Sequence, residues 1–159
     1  MDRLELRSES ESETGALAAA LGRVVRGGDV VLLEGTVGAG KTAFVRGVAR
    51  GLGLPEDEPV TSPSFAVVQE YETSPRLVHA DLYRLGSSDE ILQLGLADTL
   101  DASAVGFVEW GESHIAALDR VDLLIEIAGS GDDPRRLVAS ARSPRGFAML
   151  DAWSVLATT

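Results

Sequence analysis

The sequence predicts an α/β fold, a mixed β-sheet flanked by helices in a single domain over residues 1–159. Three observations predict it. Val30-Val31-Leu32-Leu33 is a continuous apolar run of the kind that parallel sheets bury on both faces. Strand-like and helix-like segments alternate through the first half, and hairpin-like pairs of segments recur later. The chain is 45% apolar, which suffices for a core, and no run approaches the roughly 18 apolar residues of a membrane span.

Taken in order, Ser10 and Glu13 fit a capping box, and Leu17, Leu21, Val24 and Val25 then share one face of a helix that Gly27 and Gly28 would end. The apolar run at 30–33 follows as a strand, then a glycine-rich turn, then a helix from about Lys41 to Arg50 stopped by Gly51 and Gly53. Phe65–Val68 and Leu77–Asp81, on either side of Glu72-Thr73-Ser74-Pro75, predict a hairpin. Ser88 caps an expected helix carrying Ile91, Leu92 and Leu94, and Ala104–Val108 is a second buried strand ending at Glu109-Trp110. Leu123–Ile127 and Arg136–Ala139 predict a late hairpin around the loop Gly129–Pro134, and Phe147–Leu156 a closing helix.

Charge and composition narrow the function. With 25 acidic and 14 basic side chains the net charge is −11, whereas nucleic-acid binders present basic patches. Direct RNA or DNA binding is therefore not expected, and the acid excess serves solubility or a basic protein partner. The absence of cysteine excludes disulfides, thiolate zinc sites and a cysteine nucleophile. Met1-Asp2-Arg3-Leu4-Glu5 lacks the basic and apolar regions of a signal peptide, so a cytoplasmic location is the expectation. Thirteen of the basic residues are arginine, and Lys41 is the only lysine.

That lysine lies in Gly35-Thr36-Val37-Gly38-Ala39-Gly40-Lys41-Thr42, which matches G-x-x-x-x-G-K-S/T between a buried strand and a helix start. Glycines there let successive N–H groups turn inward as an anion nest at the positive end of the helix. Lys41 then reaches the β- and γ-phosphates, and the Thr42 hydroxyl joins a magnesium shell. The expected fold is thus P-loop NTPase-like. A guanine-specific N-K-x-D signature would need a second lysine, so ATP is favoured over GTP by elimination.

Phosphate chemistry also calls for acids that hold magnesium and orient the attacking water. Glu109 ends an apolar strand as such an acid should; a solvated strand-end carboxylate is the plainer alternative. Asp81 ends another strand inside His79-Ala80-Asp81-Leu82-Tyr83-Arg84, a compact polar cluster. The phosphate loop, Ser62-Pro63-Ser64-Phe65, the His79-x-Asp81-x-Tyr83-Arg84 cluster and Val108-Glu109-Trp110, in that order and spacing, resemble the TsaE (YjeE) family of bacterial P-loop ATPases over about Thr14 to Trp110. Two positions depart from the family pattern: Thr36 stands where an acid is usual, and Ser64 where threonine is.

The resemblance implies a part in the N6-threonylcarbamoyladenosine modification of tRNAs that read codons starting with A. It implies a complex with a TsaD-type transferase and its TsaB-type partner, with ATP hydrolysis supporting turnover and tRNA reached only through the complex. Carried onto this chain, Gly35 and Gly38 to Ala43 (Ala39, Gly40, Lys41 and Thr42 between) bind nucleotide. Thr42 and Glu109 hold Mg²⁺, and Lys41, Asp81 and Glu109 are catalytic, with Asp81 orienting or deprotonating water. Ser62 and Ser64 are candidates for a loop sensing the γ-phosphate, or an ordinary Ser-Pro turn before a strand. His79 is a switch or partner-contact candidate or a hydrogen-bonded structural residue; Tyr83 and Arg84 position Asp81, meet a partner or pair at the sheet edge. Trp110 covers the site, docks a partner or fills the core boundary, and His114 is expected in solvent. Arg84, Arg135 and Arg136 are the candidates for a charge-stabilising arginine, unless a partner supplies one. Two other functions stay open from sequence: a small-molecule kinase on the same loop, and a nucleotide-gated scaffold that scarcely hydrolyses.

Overall fold

The computed structural model describes residues 1–36, 38–61, 68–82, 95–109, 118 and 120–158. Seven strands form one sheet: β1 (Arg3–Ser8), β2 (Val30–Glu34), β3 (Val68–Tyr71), β4 (Arg76–Asp81), β5 (Ala104–Glu109), β6 (Leu123–Ala128) and β7 (Arg135–Ala141), in the order β1-β7-β6-β2-β5-β4-β3. The helices are α1 (Glu11–Gly22), α2 (Lys41–Gly51), α3 (Leu96–Thr99) and α4 (Pro144–Ala157). Strands β6, β2, β5 and β4 run parallel through the centre, and antiparallel partners flank them on both sides. The expected mixed α/β sheet is therefore present.

The central strands explain the apolar runs. Every residue of β5 is buried, as are Val30 to Leu33 of β2, because both faces of the sheet are covered. One face, carrying Val31, Leu33, Leu77, Val105 and Phe107, packs against α1, α2 and α4. Phe44 of α2 is its hub, with ring centroids 6.4 Å from Phe107 and 6.2 Å from Trp153. Trp153 satisfies its indole N–H by donating to Leu17 O at 2.9 Å. The other face gathers Val30, Leu32, Val78, Ala80, Val108 and Leu124 under Leu96 of α3.

Helices α1 and α2 approach closely. A Cβ on Gly47 would stand 2.6 Å from Gly15 O and 2.7 Å from Ala18 Cβ. Gly47→Ala is expected to destabilise the fold by about 1–2 kcal/mol despite alanine's better helix propensity, because a backbone carbonyl has nowhere to retreat. Urea unfolding reads this, and an unchanged or raised midpoint would show that the helices can separate freely.

Three expectations need adjustment. Helix α1 begins as predicted, with Ser10 Oγ accepting from Glu13 N, but Glu13 Oε2 reaches Glu9 N and not Ser10 N. It ends at Gly22, earlier than Gly27 and Gly28 suggested. The Arg26 N–H that a longer helix would give to Gly22 O goes to Asp29 Oδ2 at 2.7 Å. Asp29 is itself buried and held by Arg145 at 3.0 Å, while the helical pattern already breaks where Val24 N turns to Leu21 O at 2.9 Å. Strand β1 has no counterpart among the predicted elements. Its alternation, with Leu4 and Leu6 toward the core, is short, and its partner β7 lies more than a hundred residues on. The early hairpin forms as β3 and β4 around a cis Ser74–Pro75 bond. Phe65 to Val67 and the predicted helix with Ser88, Ile91, Leu92 and Leu94 lie outside the described residues.

Candidate nucleotide site

Strand β2 is central, so its C-terminal end opens beside the ends of β5 and β6. The loop from Gly35 leads from that end into α2, whose N-cap is Gly40. Gly38 and Gly40 have φ of 85° and 108°, values that L side chains avoid, and among the described residues nothing lies within 4 Å of where their Cβ atoms would be. The glycines are therefore required for conformation, and they leave open space before the loop.

Lys41, 8% exposed, folds back across the loop: Nζ donates to Gly35 O at 2.5 Å and lies 3.9 Å from Glu109 Oε1. Glu109 is almost fully buried at the end of β5, which removes the solvated strand-end alternative. Asp81 is its register partner at the end of β4. Backbone register thus sets two acids side by side next to the lysine, from three separate segments of chain. Glu109 Oε2 is paired with His79 Nε2 at 2.5 Å, and His79 is wholly buried. Of the alternatives open for His79, the structural hydrogen bond is the one observed.

The flank of the loop away from these acids is a cleft of about 520 Å³. Gly38, Ala39, Gly40, Thr42 and Ala43 form one wall; Glu9 to Glu11 and Thr14 at the start of α1, Arg46, the β6–β7 loop at Gly131 to Asp133 and Arg135 form the rest. Thr14 Oγ1 and Ser8 Oγ share a buried hydrogen bond of 2.7 Å behind it.

The two hairpin arginines diverge. Arg135 Nε donates to Ala39 O at 2.9 Å and its Nη2 to Gly131 O at 3.0 Å, tying the hairpin tip to the phosphate loop. Since a trans peptide opposes its C=O and N–H, anchoring Ala39 O from outside turns the Gly40 N–H toward the opposite side. Arg136 instead turns to β1, where Nε lies 2.5 Å from Glu5 Oε1 and this hydrogen bond holds the Glu5 carboxyl below its ordinary value. It is thereby removed from the arginine candidates near the loop. Ser62, Ser64, Tyr83, Arg84, Trp110 and His114 lie outside the described residues.

The glycine loop and the two acids expected beside it lie at the ends of β2, β4 and β5, while Ser10, Thr14 and Arg46 line the cleft without having been expected there. Ser10 carried only a capping signal, and Thr14 and Arg46 carried none, because the cleft is made by α1 packing beside the loop. Among the described residues no helix is long and apolar enough to cross a membrane.

A glycine loop joining a buried parallel strand to a helix start, with its lysine laid back across it, defines a protein of the P-loop class. Residues 8–137 match the family model described as "Threonylcarbamoyl adenosine biosynthesis protein TsaE". The chain is 33% identical to the tRNA threonylcarbamoyladenosine biosynthesis protein TsaE of Treponema pallidum, covering 84% of this chain and 97% of that one. It is 37% identical to the TsaE of Bacillus subtilis over 89% and 87% of the two chains, and 38% identical to that of Streptomyces coelicolor over 81% and 90%. The crystal structure of Bacillus subtilis YdiB superposes with a TM-score of 0.74 at 32% identity, covering 96% of this chain and 95% of that chain. The chain belongs to the TsaE family.

Proposed function

We propose that this protein is an ATPase of the tRNA threonylcarbamoyladenosine machinery, working in the cytoplasm with a TsaD-type transferase and a TsaB-type partner and meeting tRNA only through them. The observation that carries the ATPase chemistry is the lone lysine, buried across the glycine loop and 3.9 Å from the carboxylate that ends β5. In this reading the loop N–H groups and Lys41 take the phosphates, and the cleft beside Ala43 has the volume for the sugar and base.

The donor set fits Mg²⁺: Thr42 offers a hydroxyl and Glu109 a carboxylate, both hard oxygen ligands. Phosphate oxygens and water would supply the remaining ligands. Bound there, the ion would neutralise charge on the phosphates. Asp81 accepts a hydrogen bond or proton from the water that attacks the γ-phosphorus in line, the bond to the β-phosphate oxygen breaks, and ADP and phosphate leave. Lys41 supplies fixed positive charge where negative charge develops.

Weak turnover by the isolated chain is expected, since a switch-like ATPase gains nothing from idle hydrolysis. Phosphate release measured with and without the transferase pair tests this. Full-rate hydrolysis that the pair leaves unchanged would end the coupling idea, and a phosphorylated metabolite in place of free phosphate would make the protein a kinase. Arg135→Ala removes the charged donor that fixes Ala39 O, a hydrogen bond of a kind contributing about 1.5–3 kcal/mol. Roughly a tenfold loss of ATP affinity is expected after discounting for solvent. Calorimetry reads it, and native affinity would show that the loop holds its shape without the hairpin.

A further inference from the structure

His79 and Glu109 form a buried pair for which the proposed chemistry uses only one member. Nε2 of the histidine lies 2.5 Å from Glu109 Oε2, and the two side chains are 0% and 4% exposed. The other oxygen, Oε1, faces Lys41 Nζ at 3.9 Å. His79 Nδ1 is buried with no hydrogen-bond partner among the described residues.

As an acceptor, the Glu109 carboxylate takes the N–H of the ring at Nε2, and this contact ties one of its two oxygens to β4. The strand register explains the reach: His79 faces Phe107, and Asp81 faces Glu109, so the imidazole extends diagonally to Glu109 from the residue two before Asp81 on the same face.

We infer that His79 is the positioning residue for Glu109: its Nε2–H fixes one carboxylate oxygen so that the other is presented to the phosphate loop, where a divalent cation arriving with nucleotide would meet it. The inference rests on the magnesium–nucleotide function proposed above. Groups that hold a metal-binding side chain from behind are expected to change metal affinity by about 10–100-fold when removed.

The test uses the full chain and ADP. Calorimetry gives nucleotide affinity in EDTA and across a Mg²⁺ series, and the Mg²⁺ concentration that restores half the gain is compared among variants. His79→Leu is expected to raise that concentration by about 10–100-fold while leaving affinity in EDTA unchanged. His79→Gln, whose amide N–H stands near the Nε2 position, is expected to keep the native value, and His79→Asn, which is too short, to behave like leucine. If the leucine variant does not fold by circular dichroism, the contrast between Gln and Asn decides. A native Mg²⁺ midpoint in Asn, or equal losses with and without Mg²⁺, would overturn the positioning role and leave an ordinary core histidine. Wild-type affinity that ignores Mg²⁺ would instead bring down the metal–nucleotide function itself, and this inference with it.

Discussion

Asp81→Asn is expected to lower ATP hydrolysis by about 10²–10⁴-fold, the usual contribution of a positioned acid–base group, while nucleotide affinity stays near native. The substitution preserves size and removes the charge that attracts a proton from water. Asp81 ends β4 in register with Glu109, so the change is made beside the buried carboxylate without deleting a side chain from the core. Phosphate release under single-turnover conditions reads the chemical step, and calorimetry the affinity. Undiminished hydrolysis would remove Asp81 from the mechanism. Full support of tRNA modification by a variant that no longer hydrolyses would favour a nucleotide-gated scaffold.

Lys41→Ala is expected to weaken ATP binding by about 10–150-fold, equivalent to the 1.5–3 kcal/mol of a charge-assisted hydrogen bond. The loss should be larger for ATP than for ADP, because the γ-phosphate adds the charge that the ammonium faces. Stability should fall as well, since Gly35 O loses its donor and Glu109 loses the nearby cation while His79 remains. Arginine would not restore function: its planar fork is a different shape from the compact ammonium. ATP affinity equal to wild type would sink the central claim about this loop.

The loop, β2 and α2 were legible in sequence because their signals are local. Two glycines in the left-handed region, a lysine and a hydroxyl must follow one another within a few residues, and an apolar run must precede them. Glu109 and Asp81 were legible as strand-end acids, but their adjacency depends on β4 and β5 lying next to each other in parallel register. The acceptor that takes the Arg26 N–H just past the end of α1 was illegible, because Asp29 is held there by Arg145, distant in sequence. The cleft was illegible for the same reason: Thr14, Arg46 and Gly131 come together only when α1 and the β6–β7 loop pack beside the phosphate loop.

Sequence by itself determined the α/β class, the glycine-lysine loop between strand and helix and the residue types available to hold a hard cation, all of which follow from short-range backbone and side-chain requirements. Tertiary structure alone decided which flank of the loop holds the cleft and which the acids, that Arg135 grips the loop while Arg136 turns to β1, and that His79 stands behind Glu109. Those choices belong to sheet order and packing, which bring together groups that no spacing along the chain relates.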